Sequence, residues 1–213
     1  PGFPKSVSMI AKNEKDSADK VLVWFRKDLR LRDNPTLEHA LSGSKQIVPV
    51  FIWDEEEGGN WSPGAASRWW LHQSLKSLSA SIERLGGSLL FEKGKPADVL
   101  PLLAKENGAD DVLYSRVYDP GGMAAQEAVE EALDIAGIRT ESFNASLLNE
   151  PWEVKNSSGK PFQVFTPFWR NAERYYIEKI PSKERLIKKC YKNKNYFQNC
   201  IDPKKILPKK IWF

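Results

Sequence analysis

The sequence predicts an α/β protein, a Rossmann-like, doubly wound five-stranded parallel sheet with helices on both faces. Three observations carry this reading. Five apolar runs of strand length alternate with four longer segments of helical period. Pro or Asn-Pro starts and Gly stops punctuate most junctions. The clearest runs are apolar at nearly every position, as strands covered on both faces are.

Val21-Leu22-Val23-Trp24-Phe25 is the first strand. Asn34-Pro35 then sets a capping side chain before a proline at the first helical position, opening a helix that ends near Gly43. Ile47-Val48-Pro49-Val50-Phe51-Ile52-Trp53 is the second strand, with Pro49 implying a bulge or a strand start. An acidic, Gly-rich loop over residues 54–60 follows. The clearest helix covers residues 67–85: Leu71, Leu75, Leu78, Ile82 and Leu85 make one stripe, which Gly86-Gly87 terminates. Residues 88–91 are strand three. Pro96 starts a helix through Val99, Leu102 and Leu103 that ends before Gly108, and residues 111–115 are strand four. A helix over residues 123–136 turns Val129, Ala132 and Leu133 inward and stops at Gly137; residues 138–143 are strand five. Residues 164–180 form a last, aromatic-containing helix.

Composition limits the function classes. The 213 residues, 41% hydrophobic and 28% charged, suit one ordinary domain with an appendage. No run approaches the roughly 18–20 apolar residues of a membrane helix, and residues 1–20 lack the apolar centre of a secretory signal, so no membrane partner and a cytoplasmic or other intracellular setting are expected. Cys190 and Cys200 have no companions at zinc spacing, so no metal site is indicated. The net charge of +4 is uneven: twelve basic and four acidic side chains between 172 and 213 put +8 there and −4 on the rest. A nucleic-acid role would rest on that Lys/Asn-rich end alone, where a solvated tail is the plainer reading. The expected organisation is an N-terminal extension over 1–19, the α/β domain over 20–172, and a basic linker or tail over 173–213.

Open α/β sheets bind ligands beyond the carboxyl ends of their strands, where the connection order reverses. With strand one beside strand four, that crevice is lined by residues 26–33 and 116–122. Neither is a G-x-G-x-x-G or Walker loop, which disfavours an ordinary dehydrogenase or ATPase. The first loop alternates cations and carboxylates, suiting internal ion pairing or an interface. His39 and His72 fall within helices, as packed or solvated residues rather than bases. No acyl-transfer or metal-hydrolysis motif is present, and no catalytic residue is assigned. The tryptophans serve either as core and contact residues or as a stacking wall for a flat conjugated ligand. In the second case Trp53 and Trp61, which bracket the loop after strand two, and Tyr118, after strand four, converge on the crevice.

Val23-Trp24-Phe25-Arg26-Lys27-Asp28-Leu29-Arg30-Leu31-Arg32-Asp33-Asn34-Pro35 resembles the opening of the DNA photolyase/cryptochrome family. Three further blocks agree in order and spacing: Ser67-Arg68-Trp69-Trp70-Leu71, Arg116-Val117-Tyr118-Asp119, and Val164-Phe165-Thr166-Pro167-Phe168-Trp169-Arg170. The Trp69-Trp70 pair, Tyr118-Asp119-Pro120 and Pro151-Trp152-Glu153 are most similar to the plant-type and bacterial class III branch of the pyrimidine-dimer photolyases.

The resemblance implies an amino-terminal antenna domain holding a methenyltetrahydrofolate, deazaflavin or flavin pigment in the strand-end crevice. In full-length members a second, all-helical domain holds FAD, which donates an electron to a pyrimidine dimer flipped out of DNA. Some folate-binding members carry a His where Gly59 stands and an Asn-Glu pair in place of Gly121-Gly122. The pigment would then be held differently, by stacking on Trp53, Trp61 and Tyr118 with a carboxylate from Asp119 or Glu150, or the crevice is empty. Nothing from residue 181 onward resembles the FAD or DNA-binding motifs, so the helical domain is expected to be missing or separate. Lyase activity and DNA contact then belong to the full-length family, and this chain alone is expected to be inactive in repair. Pro1 in place of an initiator Met favours a fragment over a truncated gene product or a free-standing antenna-like protein. The alternative function is a stand-alone pigment- or nucleotide-binding module that docks to a helical partner through Trp152, Phe168 and Trp169.

Overall fold

The structure, a computed structural model, describes residues 19–43, 46–57 and 62–173. Strands β1 (Lys20–Phe25), β2 (Gln46–Trp53), β3 (Leu90–Lys93), β4 (Ala109–Ser115) and β5 (Arg139–Phe143) form one sheet in the order β3-β2-β1-β4-β5. Every pairing is parallel. Helices α1 (Pro35–Ser42) and α2 (Ala65–Arg84) contribute to the core on one face; α3 (Pro96–Asn107) and α4 (Pro120–Ile135) contribute to that on the other. A short α5 (Phe165–Ala172) is the last element among the described residues.

Period-two alternation in the central strands feeds both cores. Val21, Val23 and Phe25 pack with Leu37, Leu75, Leu78 and Ile82 on the α1/α2 side. Leu22 and Trp24 pack with Leu100, Val129 and Leu133 on the α3/α4 side. That two-sided burial is why β1 has no polar position after Lys20, and each such side chain contributes roughly 1.5–3 kcal/mol. Pro49 lies inside β2 without a bulge there. The pairing of β2 with β3 begins only at Val50, so at Pro49 the strand is locally an edge and tolerates a missing donor.

Several boundaries differ from the sequence reading for identifiable reasons. α4 begins at Pro120, not 123, because Asp119 caps it by accepting from the Gly122 N–H at 3.0 Å; the glycine pair is its first turn, not a loop. β3 begins at Leu90, since Ser88 and Leu89 are buried before the pairing starts. In α3 the inward residues are Leu100, Leu103 and Ala104, while Leu102 is 62% exposed. Leu71 and Leu85 are only partly buried, and His72 joins the buried face of α2. The expected helix over 164–180 is seen as Phe165–Ala172; its later residues, like Trp61, both cysteines and the basic tail, lie outside the described residues. Among the described residues no helix is long and apolar enough to cross a membrane.

Candidate site at the carboxyl ends of β1 and β4

The chain runs from β1 outward to β2 and β3, then returns to place β4 on the other side of β1. The crevice predicted beside this reversal is therefore where the loops after β1 and β4 meet. Asp28 organises it. Its buried carboxylate accepts from the Arg26 backbone N–H at 3.0 Å, Asn34 Nδ2 at 3.0 Å and Ser115 Oγ at 2.6 Å. Asn34 also caps α1 by accepting from the Leu37 N–H at 3.1 Å. The charged segment after β1 is thus largely a structural knot, and its cations turn inward or across the crevice.

Arg26 is the most buried of them, its side chain 4% exposed. Its guanidinium lies 4.4 Å over the Trp24 ring, and Nη2 reaches both Glu57 Oε1 and the Gly122 carbonyl at 3.0 Å. Nη1 is buried without a partner. Four residues beyond Gly122 on α4, Gln126 donates from Nε2 to Glu130 at 3.3 Å while its Oε1 is likewise buried and unpartnered. The Tyr114 hydroxyl also donates to Glu130; burial first, then that bond and the carboxylate charge, push its pKa up.

Toward β5, Glu150 is buried and accepts from Arg116 Nε at 2.7 Å and the Tyr118 hydroxyl at 2.6 Å. Desolvation and the Glu150 carboxylate push the Tyr118 hydroxyl up to about 12. Burial opposes the charge on Arg116, but its contacts with Tyr118 and Glu150 outweigh this and raise its pKa. The Trp152 ring sits 6.2 Å from that of Tyr118, tilted by 42°. Asp119 pairs with Lys27; burial works against its negative charge, but Lys27 and the Gly122 N–H hold the carboxyl below its ordinary range. A cleft of about 140 Å³ opens between Lys27, Arg30, Tyr118, Asp119, Ala145 and Ser146.

Of the five residues picked from sequence, Tyr118, Asp119 and Glu150 come to the β4 side. Trp53 ends β2 and packs against the α1/α2 core, so it does not line that cleft; Trp61 lies outside the described residues. Arg26, Arg116 and Gln126 were missing from the set. The two arginines directly follow strands, a positional signal that was available; Gln126 is an unremarkable helical residue. A second cavity, about 770 Å³, lies at the opposite ends of the strands beside Val21, His39 and Arg139, where Arg139 pairs with Asp111 at 2.7 Å and His39 with Glu141 at 3.3 Å. Among the described residues no group of three or more His, Cys, Asp or Glu side chains is placed to hold a metal ion.

Comparison with known proteins agrees with this fold. The family model described as DNA photolyase matches residues 21–184. A deoxyribodipyrimidine photo-lyase of Agrobacterium fabrum is 44% identical over 153 residues, covering 72% of this chain and 31% of that protein. Cryptochrome-2 of Arabidopsis thaliana is 40% identical over 162 residues, covering 76% and 26%. The crystal structure of a bacterial class III photolyase from Agrobacterium tumefaciens superposes with a TM-score of 0.78 at 37% identity, covering 95% of this chain and 41% of that one. The chain therefore spans 26–31% of the length of these curated relatives.

Proposed function

Because the chain belongs to the DNA photolyase family, we propose that residues 20–172 are its amino-terminal antenna domain, which holds a light-harvesting pigment at the carboxyl ends of β1 and β4. The segments 1–19 and 173–213 are then an extension and a linker. The pigment is a flat conjugated molecule of the methenyltetrahydrofolate, deazaflavin or flavin class. When bound it absorbs light and passes the excitation to FAD in the helical remainder of the longer relatives, the part that serves dimer repair. On this reading the chain alone restores no dimer.

The observation that carries the reading is the orphaned pair, a buried donor at Arg26 Nη1 and a buried acceptor at Gln126 Oε1, on residues that both flank Gly122. Each unsatisfied group costs about 1–3 kcal/mol, a cost that the carbonyl and N–H edge of a pterin or flavin ring removes. Tyr118, Asp119 and Glu150 form the wall toward β5, while Trp53, packed on the α1/α2 core, stands outside it. The 140 Å³ cleft is smaller than the roughly 300 Å³ such a ring system needs, so the pigment extends from it toward Arg26. Replacing Gln126 by Leu tests this: affinity for the pigment falls about tenfold, whereas unchanged affinity rules out the edge contact.

A second reading, a module that docks to a helical partner, is favoured by the stretch after β5. There Leu148, Trp152 (51% exposed), Phe165 (69% exposed) and Trp169 stand open, with the Phe165 and Trp169 rings stacked at 12°. Concentration-dependent self-association of the chain, abolished by Phe165→Asp, tests it. The two readings are compatible, since the longer relatives extend well beyond this segment.

A further inference from the structure

Resting on the antenna reading, we infer that Glu57 is a resident stand-in for an anionic group of the ligand, seated on Arg26 by a loop that only glycine at position 121 admits.

The loop after β2 presents three successive glutamates, each to a different cation: Glu55 to Lys93 at 3.0 Å, Glu56 to Lys95 at 3.4 Å and Glu57 to Arg26 at 3.0 Å. The first two pairs are exposed on both sides and hold the loop weakly. The third differs. Its guanidinium is 4% exposed and its carboxylate side chain 30%, so solvent reaches the anion but not the cation. A buried guanidinium needs an anion, and Glu57 is the partner whose place another anion can take without moving Arg26.

The seat itself is shaped by the first turn of α4. A Cβ at position 121 would lie 2.5 Å from the Glu57 carbonyl oxygen, a backbone atom that cannot step aside without lifting the loop. A Cβ at position 122 would collide with Val117 Cγ2. Gly121 therefore brings the acidic loop onto the helix, and Gly122 lets that helix start against Val117. A ligand that reaches the orphaned Nη1 meets Glu57 on the same guanidinium, and its own anion takes the carboxylate's place. The ligand class is a conjugated pigment that carries a phosphate or carboxylate at the end of a flexible arm, as in a flavin nucleotide or a glutamyl folate.

The test uses the full chain with Glu57→Gln and Glu57→Ala, the first keeping shape and removing charge. Inorganic phosphate, with ionic strength balanced by chloride, is expected to raise the melting temperature of both variants while leaving the parent protein unmoved. FMN is expected to bind Glu57→Gln about fivefold more tightly than the parent, with riboflavin, which lacks the phosphate, unchanged. Methenyltetrahydrofolate forms the carboxylate arm and distinguishes the two sources of the anion. Equal phosphate responses in parent and variants would overturn the inference. Phosphate rescue of the variants with no pigment bound by any protein would sustain the exchange at Arg26 and sink the antenna reading instead.

Discussion

The Tyr118 hydroxyl donates to Glu150 across 2.6 Å, joining the loop after β4 to the segment after β5 through a carboxylate that also takes Arg116. A neutral phenol is what this bond requires. Desolvation and Glu150 raise the pKa of Tyr118 from 10.0 to about 12, so the folded state keeps a proton that the unfolded chain loses first. The stabilisation is complete below pH 10 and is lost as pH rises toward 12. Urea midpoints are expected to fall across that window more steeply in the parent than in Tyr118→Phe, and tyrosinate absorbance in Glu150→Gln is expected to develop at lower pH.

Asp28 is expected to be the most sensitive residue of the segment after β1. Removing its carboxylate takes the acceptor of the buried Arg26 N–H and one partner each from Asn34 and Ser115, which keep the Arg30 carbonyl and the Thr36 hydroxyl. Asp28→Ala should cost about 3–5 kcal/mol in equilibrium unfolding, and Asp28→Asn less, because it keeps one oxygen.

The cap of α4 separates geometry from charge. Asp119→Ala loses the bond from Gly122 and should cost about 1 kcal/mol, while Asp119→Asn keeps it and loses only the Lys27 pair. Since folding lowers the Asp119 pKa below 3.8, its contribution is present above that pH and fades as pH falls. The acid limb of the stability profile should be shallower in Asp119→Asn.

Helix faces give a sharp contrast in the core. Leu75 is fully buried between α2 and the sheet, so Leu75→Ala should cost about 2–5 kcal/mol. Leu102→Ala, on the exposed side of α3, should stay within about 0.5 kcal/mol.

That contrast marks what could be read in advance. Strands β1, β2 and β4 and the inward stripe of α2 are long, apolar and well punctuated, so period and length identify them without tertiary information. Leu102 misled because α3 is rich in apolar residues on more than one side, and only packing selects Leu100. The start of α4 was missed although Asp119-Pro120 carries the same cap-and-proline logic as Asn34-Pro35. There the following glycines suggest a loop; instead Gly121 admits the close approach of Glu57 and Gly122 that of Val117. In the site, Tyr118, Asp119 and Glu150 were legible by position at strand ends or by charge. The buried, unpartnered oxygen of Gln126 was not, because an orphaned acceptor exists only once α4 is packed into the fold.

Whether residues 20–172 hold a conjugated pigment is decided by an absorption spectrum. The purified chain is incubated with methenyltetrahydrofolate, a deazaflavin or FMN and freed of unbound pigment by gel filtration. One of the three is predicted to travel with the protein at about one per chain, with absorbance at wavelengths beyond the protein's own aromatic band. A protein peak without such absorbance after all three incubations would mean that the crevice holds no pigment of these classes.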